Sequence, residues 1–169
     1  MKRLLIATAL IGLTAAGSLL MVACSRPPEW TTTSEDALSE FELGLEARMK
    51  YYTNDAAEHF ARAVEIDADF VAARLYRANY EEGWEKREAL QNQLREQHTT
   101  GLKPRERFLL EFNIAQWDRD SETAREIAER YTREHPQDPY GLATLAEMQW
   151  ENQEWDEAER IYREILEID

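Results

Sequence analysis

The feature of this sequence that most constrains its fold is an internal repeat of about 34 residues. The segments Tyr51–Asp67 and Gln153–Asp169 align end to end, and a third copy lies between Ser121 and Pro136. In the first two copies Ala56 aligns with Ala158, Phe60 with Tyr162 and Ala63 with Ile165, and both copies end in Glu-Ile-Asp. The third copy has Ala124, Ala128 and Tyr131 at the same positions of the repeat. Because small residues let antiparallel helices approach and large residues fill the gaps, the pattern predicts stacked helix pairs.

The chain from Asp36 onward is expected to be helical nearly throughout. Thr33-Ser34-Glu35-Asp36 and Asp138-Pro139 are typical helix starts, and no alternating run of β-branched residues predicts a strand. We therefore predict an all-α solenoid of about four helix-turn-helix repeats, at about 37–70, 71–104, 105–138 and 139–169. The second repeat is degenerate, with its second helix expected over about 85–97 and a break at 98–104.

The repeat resembles the tetratricopeptide repeat (TPR). The aligned residues above match its second-helix positions, and Leu43-Gly44 and Leu145-Ala146 match its first-helix Leu-Gly pair, whereas Phe112 departs from the small-residue position. Two junctions, at 103–107 and 135–139, also resemble those of one TPR subtype that occurs in bacterial regulators, kinases and envelope proteins. The resemblance covers 37–169 and implies a solenoid with a concave groove, but it does not name a role.

The N-terminus is typical of an export signal. Lys2 and Arg3 precede an uncharged run, and Leu20-Met21-Val22-Ala23-Cys24 resembles a lipobox. We predict a lipoprotein signal peptide over 1–23, lipidation of Cys24 (the only cysteine) and a tether over 24–36. The alternative is an uncleaved anchor, since about 20 apolar residues can just span a bilayer.

Both interpretations place the rest of the chain in the bacterial cell envelope, facing the periplasm. Ser25 favours the outer membrane, because an Asp after the lipidated cysteine tends to mean inner-membrane retention. Without Lys2 and Arg3 the formal net charge changes from −14 to −16. Because so acidic a surface repels phosphates, nucleic acid is not an expected partner.

The sequence predicts no catalytic site. It has no glycine-rich phosphate loop, no His-Glu-x-x-His motif and no cysteine pair for a metal. Its three histidines, His59, His98 and His135, are spread along the chain. We therefore expect neither enzyme activity nor a cofactor.

The TPR resemblance implies that the first helix of each repeat lines the groove. The residues at the family's groove-facing positions are Leu38, Phe41, Leu45, Arg48, Met49, Leu75, Asn79, Glu82, Leu109, Asn113, Gln116, Trp117, Tyr140, Ala143, Glu147 and Trp150. Asn79, Asn113 and Glu147 recur at intervals of 34 on these helices and would form a polar ladder, while Trp84, Trp117 and Trp150 recur at intervals of 33. The predicted partner-binding residues are Asn79, Asn113, Glu147, Trp117, Trp150 and Tyr140. Two alternatives stay open: the tryptophans pack within their own repeats, and the asparagines act as caps or face solvent.

These features lead to two functional hypotheses. The first is a non-catalytic scaffold, anchored to the membrane through lipid, that binds a partner protein or peptide in the groove. Since the groove carries no Lys/Arg clamp, a basic or mixed peptide suits it better than an acidic one. The second is a sensory or regulatory ligand-binding module of a longer envelope protein.

Overall fold

The computed structural model describes residues 29–168, and this part of the chain forms eight α-helices without a strand. The predicted signal peptide, Cys24, the first residues of the predicted tether and Asp169 lie outside the described residues. The helices are α1 (Glu35–Met49), α2 (Thr53–Ile66), α3 (Val71–Tyr80), α4 (Trp84–Arg95), α5 (Pro104–Trp117), α6 (Ser121–Glu134), α7 (Pro139–Glu151) and α8 (Trp155–Ile165).

The helices stack in chain order into a helical-repeat solenoid. Each helix packs against the next one, and α3 also contacts α5 across the intervening helix. The predicted all-α fold class is therefore confirmed. The pairs α1/α2, α3/α4, α5/α6 and α7/α8 form the four units, and the first helices of neighbouring units lie side by side. No helix in the range 29–168 has both the length and the apolar character needed to cross a membrane.

Local sequence explains where several helices begin. The side chain of Ser34 accepts a hydrogen bond from the backbone N–H of Ala37, and Asp120 caps α6 in the same way through Thr123. Asp138 caps α7 through Tyr140, and Pro139 occupies the first turn. These side chains satisfy backbone donors that have no partner inside the helix.

The turns inside three of the four repeats share one geometry. Tyr51, Arg119 and Gln153 have positive φ angles of 61°, 59° and 65° and occupy equivalent repeat positions. The next residue donates its N–H back into the preceding helix over 2.9 Å in each case, as from Tyr52 to the Ala47 carbonyl. This is the Schellman arrangement that ends a helix. The second repeat lacks it: α3 ends early, at Tyr80, and Gly83 precedes α4.

Residues 29–34, which belong to the segment predicted as a tether, pack against the solenoid; we call them the N-terminal strap. Trp30 is only 6% exposed. Its ring meets Phe41 of α1, Phe70 before α3 and Tyr140 of α7 in edge contacts, with centroids 5.0, 6.4 and 5.5 Å apart. The Arg105 guanidinium of α5 lies 5.2 Å from the same ring. The Trp30 side chain therefore contacts the first helices α1, α5 and α7 and the residue that precedes α3.

Hydrogen bonds fix the strap beside Trp30. The Thr31 backbone N–H donates to the Glu106 carboxylate over 2.8 Å, and the Thr31 hydroxyl donates to the same oxygen. Glu106 is 1% exposed and also accepts from the Ala72 backbone N–H over 3.3 Å. Lys103 donates its backbone N–H to the Thr31 hydroxyl over 3.1 Å. A buried carboxylate needs hydrogen-bond donors. The strap and α3 supply them to Glu106 of α5.

Candidate functional site

The first helices of all four repeats line one concave cavity of about 310 Å³. Its wall combines aromatic rings with amide and charged groups. The lining residues are Arg48 from α1; Leu75, Tyr76, Asn79 and Tyr80 from α3; Leu109, Phe112 and Asn113 from α5; and Tyr140, Ala143, Thr144 and Glu147 from α7. We call this cavity the groove.

Two asparagines join neighbouring repeats at the wall of the groove. The Asn79 side-chain amide donates to the Asn113 carbonyl oxygen over 2.9 Å, and Asn113 donates to the Leu109 backbone carbonyl over 2.8 Å. The Trp117 indole donates to the Asn79 oxygen over 3.3 Å. An amide nitrogen carries two hydrogens, and within the described chain each of these nitrogens donates one bond. Each asparagine therefore retains a donor for a partner.

An ion pair connects the first and the last repeat across the groove. The Arg48 guanidinium lies 4.0 Å from the Glu147 carboxylate, and both side chains are largely exposed. Arg48 also lies over the Tyr76 ring, 5.9 Å from its centroid. Since an exposed pair of this kind stabilises by at most about 1 kcal/mol, a charged partner can replace it at little cost. The groove thus offers one positive and one negative group.

Tyrosines form part of the apolar wall of the groove, beside Leu75, Leu109 and Phe112. Burial raises the pKa of Tyr76 far above its usual value. Burial also raises the pKa of Tyr140, although the nearby Arg105 guanidinium opposes this rise. Both hydroxyls therefore stay neutral near pH 7. Tyr140 contacts Trp30 on its other side, so the strap supports one end of the groove.

The ion pairs of Arg105 hold that end in place. Arg105 donates to the Asp138 carboxylate over 2.9 Å and to Glu29 of the strap, and it lies 4.5 Å from the Tyr140 ring centroid. Burial lowers the pKa of Arg105, but the hydrogen bonds that it donates to both carboxylates outweigh this and raise the pKa. Arg105 is therefore a permanent positive charge that links strap, α5 and α7.

The structure brings four of the six predicted partner-binding residues together. Asn79, Asn113, Glu147 and Tyr140 all line the groove. Glu147 faces Arg48 and is not bonded to the asparagines, so the polar ladder consists of one bonded pair and a separate carboxylate.

The two predicted tryptophans lie outside this set. Trp117 is partly buried behind Asn79, with the Arg95 guanidinium 5.6 Å from its ring centroid, and therefore supports the asparagine pair. Trp150 is 57% exposed and contacts Trp155. Cys24, the predicted lipidation site, lies outside the described residues.

Sequence reasoning missed four groove residues, which are Tyr76, Tyr80, Phe112 and Thr144. Tyr76, Phe112 and Thr144 each lie three or four positions from a predicted groove residue on the same helix, so they extend the predicted face. The spacing of three residues between Tyr76 and Asn79 would have been sufficient to include Tyr76, and Tyr80 lies four residues after Tyr76. Trp30 could not have been assigned in this way, because it lies outside the helices.

The described residues contain no group of three or more His, Cys, Asp or Glu side chains that could hold a metal ion. No protein-family model matches the chain, and no curated protein matches it either. The fold and the groove thus define a class: an all-α helical-repeat solenoid whose concave groove combines a bonded asparagine pair, tyrosine walls and two opposite charges.

Proposed function

We propose that this chain is a TPR-type scaffold that binds a segment of a partner protein in its groove. The observation that carries the proposal is the Asn79–Asn113 pair, which recurs at the repeat interval and leaves a donor of each amide available. An amide side chain can donate to and accept from a peptide backbone at once. Two amides on neighbouring helices therefore suit a chain that runs along the groove.

The other groove residues favour a basic or mixed peptide. Tyr76, Tyr80 and Tyr140 provide aromatic walls for apolar side chains. Glu147 can pair with a Lys or Arg of the partner, while Arg48 can take a carboxylate. Since the chain carries a formal net charge of −14, long-range attraction also favours basic segments.

The proposal includes an anchor in the bacterial envelope. Under it, residues 1–23 are removed as a signal peptide, Cys24 carries lipid including palmitate, and the solenoid faces the periplasm, with the outer membrane favoured. We propose no catalysis, no cofactor and no nucleic-acid partner. Metabolic labelling with a palmitate analogue tests the anchor: label is expected on the native chain and absent from Cys24→Ala. Label on both variants, or retention of residues 1–23 on the native chain, contradicts lipidation at Cys24.

Partner capture tests the groove. The full-length protein, purified in detergent, is cross-linked to envelope extract beside a double variant, Asn79→Ala with Asn113→Ala. Captured partners are then identified, and their affinities are measured with the isolated partner. Loss of two hydrogen bonds of about 0.5–1.5 kcal/mol each predicts roughly 5- to 150-fold weaker binding.

A matched control removes two exposed asparagines that do not line the groove, Asn54 and Asn152. This Ala/Ala variant is expected to bind the partner as the native protein does. Thermal unfolding of each variant shows whether the solenoid is intact. Equal binding by both double variants contradicts a groove-bound segment.

A second candidate is the ligand-binding module of a longer envelope protein. The observation that favours it is the cavity size, about 310 Å³, because small-molecule sites begin at about 300 Å³. A thermal-shift screen of small polar metabolites distinguishes the two. Stabilisation by a metabolite that the Asn79→Ala/Asn113→Ala variant loses, together with no captured partner, supports the module in place of the scaffold.

A further inference from the structure

A second surface of the molecule carries an exposed pair of tryptophans. Trp150 lies in the last turn of α7 and Trp155 begins α8. Their rings meet edge-on, with centroids 4.6 Å apart and an interplanar angle of 75°. Trp150 is 57% exposed and Trp155 is 48% exposed. Neither ring lines the groove. We call this pair the tryptophan corner.

The tryptophan corner lies in an acidic stretch of the chain, although Arg125 of α6 lines a cavity together with Glu151 and Asn152. The segment 150–159 contains five Asp and Glu residues and neither Lys nor Arg. Glu157 and Glu159 pair with Arg160 and Arg163. Glu151, Glu154 and Asp156 take part in no ion pair within the described chain, and all three are exposed. The two tryptophans and three carboxylates without an ion pair thus lie within residues 150–156, from the end of α7 to the start of α8.

Arginine side chains of the protein lie over several other aromatic rings. In the described residues, Arg48 lies over Tyr76, Arg95 over Trp117, and Arg105 over Trp30 and Tyr140, whereas no cation lies over Trp150 or Trp155. Tryptophan is the strongest aromatic partner for a cation. Trp150 and Trp155 are therefore aromatic rings that can bind a cation but have none over them in the described chain.

We propose that the tryptophan corner binds a lysine or arginine side chain in a basic segment of a partner protein. The perpendicular rings present π-faces to the cation, and Glu151, Glu154 and Asp156 supply the compensating charge. This surface is separate from the groove, and its assignment does not depend on the function proposed for the groove.

Binding of acetyl-pentalysine-amide to the full-length protein in detergent tests the proposal by isothermal titration. A pentalysine acetylated on every side chain is the neutral probe. We expect the charged peptide to bind and the neutral peptide to bind at least about fivefold more weakly. Equal binding of the two peptides would overturn the proposal.

Two variants locate the peptide. Trp150→Leu/Trp155→Leu keeps apolar side chains but removes the ring faces, and is expected to weaken pentalysine binding at least about fivefold. Native affinity in this variant overturns the site, and a loss of affinity supports it when circular dichroism shows unchanged helix content. Because these rings are partly covered, a second variant changes only exposed carboxylates: Glu151→Gln/Glu154→Gln/Asp156→Asn is expected to weaken binding to a similar extent.

A charge-matched control separates the site from diffuse attraction to an acidic protein. Glu42→Gln/Glu65→Gln/Glu126→Gln removes three exposed carboxylates on α1, α2 and α6 that form no ion pair in the described chain. Its affinity for pentalysine should stay close to that of the native protein. An equal loss in both triple variants means that only net charge matters and refutes the tryptophan corner. Because the groove is also proposed to favour basic segments, the tryptophan substitutions are repeated in the Asn79→Ala/Asn113→Ala background. The loss of pentalysine binding on Trp150→Leu/Trp155→Leu should persist there, and its absence in that background would overturn the tryptophan corner without bearing on the groove.

Discussion

At the scale of single residues, an exchange of large and small side chains explains how the third repeat packs with Phe112 at a position that is small in the other repeats. One first-helix position and one second-helix position recur at intervals of 34. From the first repeat to the fourth they form the pairs Gly44/Phe60, Ala78/Leu94, Phe112/Ala128 and Ala146/Tyr162. In each pair one member is small and the other is large. Phe112, which departs from the TPR pattern, thus occurs where the partner position is Ala128, so the summed volume changes little.

The closest packing of this kind predicts that Gly44→Ala destabilises the protein. A Cβ at Gly44 would lie 2.6 Å from the Phe60 ring, which is fully buried and cannot move aside freely. Overpacking of about 1–3 kcal/mol should outweigh the gain of up to about 1 kcal/mol in helix propensity. Urea denaturation followed by circular dichroism measures the difference.

A double variant provides the control for this prediction. Phe60→Leu alone leaves a gap and should destabilise, but in the Gly44→Ala background it makes room for the new methyl group. The two changes together should therefore cost less than the sum of the single changes. Strict additivity would show that the two positions do not compete for space.

At the scale of elements, the N-terminal strap shows how an extended segment becomes part of a helical domain. Pro27-Pro28 and the Thr31-Thr32-Thr33 run have no apolar periodicity, which is why the sequence predicts a tether. The strap docks because Glu106 of α5 offers a carboxylate to its backbone and hydroxyl groups. Docked backbone donors need such a partner. Whether this segment is a free tether or a docked strap thus depends on Glu106, which lies 75 positions after Thr31 in the chain.

Thr31→Val tests the contribution of the strap's hydrogen bonds. The substitution keeps the side-chain shape but removes the hydroxyl that donates to Glu106 and accepts from Lys103. A hydrogen bond to a buried charged group is worth about 1.5–3 kcal/mol, so the free energy of unfolding should fall by that amount. Thr33→Val is the matched control, because Thr33 is exposed, and it should change stability by less than about 0.5 kcal/mol. Similar effects of both substitutions would contradict the assigned role of Thr31.

At the scale of the whole molecule, the solenoid is closed by contacts between distant repeats. In an ordinary repeat protein each unit contacts only its neighbours. Here Arg48 of the first repeat meets Glu147 of the last, and Trp30 touches α1, α5 and α7. These contacts connect the two ends of the array, so we expect it to unfold as one cooperative unit.

Trp30→Ala is therefore expected to affect the whole array. Truncation of a buried tryptophan typically costs about 3–5 kcal/mol. Loss of its contacts should also increase amide hydrogen exchange at the starts of α3, α5 and α7 together. Trp84→Ala is the matched control, since Trp84 is 69% exposed, and it should change stability by less than about 0.5 kcal/mol. Faster exchange confined to residues near position 30 would show that the strap does not join the repeats.

The sequence by itself determined the elements of this protein. The repeat interval of 34 residues and its small residues predict four stacked helix pairs, and the caps at Ser34 and Asp138 mark where first helices begin. All of these features depend on neighbours within one helix pair. They also place four predicted partner-binding residues on first helices, namely Asn79, Asn113, Glu147 and Tyr140. These patterns are local, and local packing rules are sufficient to interpret them.

Only the tertiary structure decided which distant residues meet. The curvature of the solenoid decides whether Trp30 docks and whether Arg48 reaches Glu147. It also decides that Trp117 lies apart from the tryptophan corner. That curvature is the sum of small rotations from one repeat to the next. Each rotation depends on how side chains interdigitate between helices, and no periodic pattern in the chain records it.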